Sequence, residues 1–280
     1  MSPPRGTRRI RANRIPRPLL VPAVLGVALL ILPLAGLLIR TPWSHLGAEL
    51  RSAAAVQALW LSLWTATCAT AISVIIGVPL AWILARREFA GRRLLRALVI
   101  LPLVLPPVVG GVALLLAFGR NGVLGHWLYN SFGFSLPFTP AAVILAQTFV
   151  AMPFLIVAVE GALRSSTGEL ESAAETLGAQ PWQVFLRVSL PLIAPSLAAG
   201  AVLCWARALG EFGATITFAG SFPGRTQTMP IAVYYALEND PAAAIALSLV
   251  LLVVSLCVLV GLRDSWFPVG SGLQDRGVRT

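Results

Sequence analysis

Arg207 and Glu211 stand four residues apart inside an apolar run, "CWARALGEFGATITF", and this is where the sequence first invites chemistry. A charge in the hydrocarbon core costs about 2.5–3.5 kcal/mol on insertion scales, so such residues mark a substrate path or a buried pair. Ten residues into a span read from Leu197, Arg207 is expected about 15 Å deep, near the bilayer midplane. Two readings stay open: an intrahelical pair that only neutralises itself, or an arginine tempered by Glu211 so that it attracts an anion without trapping it. Gly210 and Gly213 flank the glutamate and would let a helix or an anion come close. Nothing else suggests a reaction. No paired catalytic carboxylates or Ser-His set appears, His45 and His126 are isolated, and Cys68, Cys204 and Cys257 form no CxxC pair. Neither a metal site nor a resident cofactor is expected. The chain has no lysine, so it cannot carry a phosphate-binding P-loop, and any ATP would have to be bound by another polypeptide.

A second polar passage, "SSTGELESAAETLGAQPWQVFLRVSLP", interrupts the apolar sequence. Ser166 and Glu169 have capping-box spacing, and Gly178 supplies a stop, which predicts a short helix between them. Leu170, Ala173, Ala174 and Leu177 fall on one face of it. A second short helix is expected from Pro181, carrying Trp182, Phe185 and Leu186, before "SLPLIAP" turns the chain back into the membrane. The first helix has three glutamates and no basic residue, a poor charge balance for lying on anionic lipid. Its central alanines suit docking into a groove on another protein.

The elements that must hold these residues are apolar helices. The chain is 57% hydrophobic and 11% charged over 280 residues, where soluble domains carry roughly 25% charged residues. Six stretches are long enough to cross a bilayer: Leu19–Ile39, Val56–Ala85, Ala97–Phe118, Ala141–Gly161, Leu197–Phe218 and Ala242–Leu262. The third contains "LPLVLPPVVGG"; Pro106 and Pro107 break its hydrogen bonding, so it is expected to face the bundle interior and line a path. The loop Gly119–Pro140, rich in aromatics, reads either as an interfacial belt or as a docking site for a partner outside the membrane. Sixteen arginines fall in the two terminal segments and in the second–third and fourth–fifth connections, against four in the opposite loops. That bias predicts both termini in the cytoplasm, and it accounts for the net charge of +10 without nucleic acid. The expected organisation is a basic segment over residues 1–18, a six-span domain over 19–262 containing a cytoplasmic loop over 163–195, and a tail over 263–280.

The passage around Gly178 resembles the cytoplasmic EAA loop of ABC-importer permeases. Ala173 and Ala174 match, Gly178 aligns, and Val188, Leu190 and Pro191 follow at the family's spacing. Ser172 stands where the family usually has glutamate, and Glu171 sits one place earlier; which of the two takes that role is open. "RALGEFGATITFAG", "PGRTQTMPIAVY" and "LAQTFVAMPF" resemble the molybdate/tungstate permeases within that family, and the similarity runs from about Leu59 to Leu262. The resemblance implies an all-α, six-span type I importer permease in a bacterial inner membrane, working as a homodimer. It also implies two copies of an ATPase subunit gripping the EAA loop, and a separate extracytoplasmic molybdate-binding protein. Sulfate/thiosulfate permeases are the related alternative. A passive anion channel, with the loop only an interfacial elbow, is the alternative from another class.

Overall fold

The computed structural model describes residues 17–44, 46–166 and 168–261. The readings of His45, of the arginines before Arg17 and of the tail with Arg263, Arg276 and Arg279 concern residues outside these. Among the described residues every regular element is a helix. Five are long and apolar enough to cross a membrane, or six if one bent pair of helices is counted as a single span.

The first crossing is α1, Arg17–Arg40, which leans on the last helix and leaves most of its leucines and valines exposed. A short α2, Leu46–Leu50, leads into α3, Ala53–Arg86, whose 34 residues exceed one span as the long apolar run implied. The hydroxyl of Ser52 accepts the Ala55 N–H at 3.2 Å and fixes its start. The expected third span is two helices, α4 (Arg92–Val104) and α5 (Pro107–Phe118), meeting at a bend of 119°. Pro106 has no N–H to continue the ladder, so α4 ends and α5 starts afresh with Pro107 at its first position. The aromatic loop holds α6, Val123–Phe132, and Thr139 caps α7, Pro140–Ser165.

Beyond α7 come α8, Glu169–Thr176, and α9, Pro181–Val184. A five-residue π-helical turn, Phe185–Ser189, joins α9 directly to α10, Leu190–Leu209. Two expectations are corrected here. "SLPLIAP" does not turn the chain: Pro191 opens α10 and Pro195 lies within it, so one apolar helix runs from Pro181 to Leu209. The fifth crossing therefore begins earlier than Leu197 and ends before Phe218. Gly210–Phe212 break it, and a separate short helix α11, Gly213–Ala219, follows. An extended loop leads to α12, Met229–Asn239, and the last crossing is α13, Pro241–Gly261.

The core lies where α3, α7 and α10 pack. Ala66, Ala69, Ala81, Ala151 and Ala208 are fully buried there beside Leu84, Leu155, Ile156 and Val159. Lipid tails are as apolar as these side chains, so close fit holds the helices together. A Cβ at Gly77 would lie 3.2 Å from Ile156 Cγ1, and one at Gly200 3.0 Å from the Ala158 methyl. At the end of the bundle opposite Arg86, the loop before α12 dips inward, and the Met229 N–H donates to the buried Ser62 hydroxyl of α3 at 2.7 Å.

Candidate functional site

The residues singled out from the sequence gather in two places, one at each end of the continuous helix Pro181–Leu209. At the end near Arg86, the loop helix α8 presents Leu170, Ala173 and Leu177 outward; Leu177 is 89% exposed. No described residue covers this apolar face. The expected capping box does not form: Gly168 is the N-cap, in a left-handed conformation with no side-chain bond, and Ser166 ends α7 instead. Gly178 does stop the helix, at φ +86°, with open space where a side chain would go.

Glu171 points the other way, into the protein. Its carboxylate accepts hydrogen bonds from Arg86 Nη2 at 3.1 Å and from the Ser189 hydroxyl at 2.7 Å, and its other oxygen forms an ion pair 2.8 Å from Arg86 Nε. Arg86 also donates to the Ser166 hydroxyl at 2.5 Å. One carboxylate thus ties α8 to the end of α3 and to the π-turn that leads into α10. Ser172 is exposed and bonds none of these groups. The two candidates differ in placement: Glu171 is anchored, and Ser172 faces out. Of the other loop residues, Ala174 and Val188 are half-buried, Leu190 opens α10 and Pro191 sits exposed in its first turn. Trp182 stacks on Phe185, which meets Trp82 of α3 edge-on.

Beside it lies a three-residue cluster, whose link between Glu160 and Arg96 had no signal in the sequence. Glu160 of α7, nearly buried, binds both Arg96 of α4 and Arg164. Arg92 donates to the Leu84 carbonyl at 2.7 Å, which satisfies the free end of α3. Arginines that read only as a topology signal therefore also fasten three helix ends together.

At the far end of α10, Arg207 Nη1 lies 2.6 Å from Glu211 Oε2. Glu211 is 1% exposed, and its other oxygen accepts the Ala214 N–H at 2.8 Å, so it caps α11 as well as pairing. The arginine stands in the last turn of α10 beside the break, not midway along a helix as its count from Leu197 implied. Gly213 packs against the other broken crossing: a Cβ there would meet Pro107 Cβ at 3.0 Å and Val108 N at 3.2 Å. A Cβ at Gly111 would lie 2.9 Å from the Ala214 carbonyl oxygen, so α5 and α11 touch backbone to backbone. Pro107 and Gly213 thus meet. Pro106, Pro107 and Gly210 are exposed on the single chain, so the expected inward-facing third span buries only Gly110, Gly111 and Leu114.

Residues 77–264 match the family of binding-protein-dependent transport system inner membrane components. The chain is 48% identical over 257 residues to a molybdenum transport system permease protein of Mycobacterium tuberculosis, covering 92% of this chain and 97% of that one. The corresponding Escherichia coli permease is 40% identical over 210 residues, covering 75% and 92%. A sulfate transport system permease of the same organism is 37% identical over 239 residues, covering 84% and 86%. Among solved structures, a bacterial ABC transporter importing the polysaccharide alginate superposes with a TM-score of 0.70 at 18% identity, over 91% of this chain and 95% of that one. The apolar crossings and these matches agree: the chain belongs to the binding-protein-dependent transport system inner membrane component family and is a multi-pass membrane protein.

Proposed function

We propose that this chain is the permease subunit of an ATP-driven importer carrying molybdate, and tungstate with it, into the cytoplasm. The observation that carries the reading is the near full-length similarity to relatives described as molybdenum permeases, 48% identical against 37% for the sulfate permease. In this reading two copies pair, and the anion passes between them along the surfaces where Pro106, Pro107 and Gly210 are exposed. Arg207 supplies the attracting charge, and Glu211 weakens it enough for release. A separate binding protein outside the membrane selects the oxyanion and delivers it. Two ATPase subunits grip the exposed face of α8, and their closure moves α10 through the Glu171–Arg86 anchor, rocking the helices between two states.

The arginine imbalance supports the orientation, with α8 and both termini in the cytoplasm. Ser172→Cys, with the three native cysteines replaced, is expected to react with a membrane-impermeant thiol reagent only in inside-out vesicles. Labelling from the outside would remove the docking role. The substrate is tested by reconstituting the permease with its ATPase and binding protein and comparing ATPase stimulation by molybdate, tungstate and sulfate. Stimulation by sulfate alone would replace the molybdate assignment with the sulfate one. Uptake that persists without the ATPase would favour a channel.

A further inference from the structure

The start of α4 forms one wall of a cavity of about 730 Å³ lined by Arg86, Arg92, Arg93, Arg96 and Arg164. Glu88, at its mouth, is almost fully exposed. The carboxylates in reach are Glu88, Glu160 and Glu171, so five guanidinium groups face three acids and the basin keeps an excess of two positive charges. No described residue pairs with Arg93, which is exposed at the basin's edge. Gly91, also in the lining, is the N-cap of α4 and offers no side chain to its first turn, so the positive end of the helix opens here too. A basin of this kind is built to hold an oxyanion.

Its surroundings say which oxyanion. Leu94, Leu98 and Leu101 continue from the basin along one exposed stripe of α4, and Phe89 sits 41% exposed in the lining. A soluble ion has no use for that stripe, whereas an amphiphile would lay its chains on it. We infer that this basin binds the phosphate of an anionic phospholipid, its acyl chains running along Leu94, Leu98 and Leu101. The inference needs the chain to be in a membrane, and it is independent of which substrate is carried. It also assigns Arg93 a role separate from the Arg86–Glu171 anchor.

The test uses the permease–ATPase complex in phosphatidylcholine vesicles, with spin-labelled phosphatidylglycerol and spin-labelled phosphatidylcholine compared by electron spin resonance. The native complex is expected to prefer phosphatidylglycerol, and Arg93→Gln to lower that preference about five-fold, the effect of one basic residue at a lipid surface. Arg93→Lys should retain most of it, and Arg187→Gln, an exposed arginine on the π-turn, should leave it unchanged. An unaltered preference in Arg93→Gln overturns the proposal, as does an equal loss in Arg187→Gln. Displacement of the lipid by millimolar phosphate or molybdate would make this a soluble-oxyanion site and overturn the lipid assignment. A preference seen in the isolated permease but absent from the complex would make the basin a subunit contact and overturn it equally.

Discussion

Two arginine–glutamate pairs sit at opposite ends of one helix, and they do different work. Arg207 and Glu211 are four residues apart, so their pairing fixes only the local chain: it closes α10 and starts α11. Arg86 and Glu171 are 85 residues apart, and their pairing fixes elements to one another: α3, α8 and the π-turn before α10. A local pair can neutralise a charge wherever the sequence puts it. A distant pair transmits position, because neither partner can move without dragging the helix that carries the other.

Substitutions can break that contrast. The largest loss is expected from Arg207→Ala, which leaves the buried Glu211 carboxylate without its cation at a cost of about 3 kcal/mol. The amount of inserted protein should fall, and Arg207→Ala with Glu211→Gln should restore it. Anion uptake by that double variant then reads the pathway role alone: low uptake assigns Arg207 to the path, and normal uptake leaves it structural. Next comes the distant pair. Arg86→Ala and Glu171→Ala should each cut substrate-driven ATPase activity several-fold, and a double-mutant cycle should return a coupling of about 1–3 kcal/mol. Additive losses would mean that the anchor transmits nothing. Gly178→Leu meets no neighbour within the chain, so its cost is the left-handed backbone, about 1–2 kcal/mol, together with whatever the side chain meets on a docked partner. Hydrolysis is expected to continue while transport falls; normal transport in vesicles would disprove the docking. The smallest effect is expected from Ser172→Glu, which restores the family's usual residue at an exposed position. Transport should stay within about two-fold, since surface substitutions seldom exceed ±0.5 kcal/mol. Rescue of Glu171→Ala by Ser172→Glu would contradict the anchor.

What the sequence made legible follows from the range of each interaction. The crossings were readable because length and apolarity are local: the spans placed at Leu19–Ile39, Val56–Ala85, Ala141–Gly161 and Ala242–Leu262 differ from the helices by a few residues at each end. The stop at Gly178 was readable because a left-handed turn calls for glycine in the chain itself. The fifth crossing was misplaced because Gly210 and Gly213 look tolerable inside an apolar run. Only packing of α11 on α5 shows that the helix ends at Leu209. Pro191 and Pro195 misled in the opposite sense: the π-turn ends just before Pro191, and α10 carries Pro195 inside it without ending. The inward aim of Glu171 had no signal in sequence. It depends on Arg86 and Ser189, which pattern alone cannot bring together.

The unbroken run from Pro181 to Leu209 has a mechanical consequence. Twenty-nine residues make a strut of about 43 Å, with its foot beside Glu171 and its tip at Arg207. A lean of about 5° at the foot sweeps the tip sideways by about 4 Å. The π-turn is the seam along that strut where such a lean can be taken up. The π-turn holds one residue more than an α-helical turn, so removing one from Phe185–Ser189 would leave the helix above near its present register and take away only the seam.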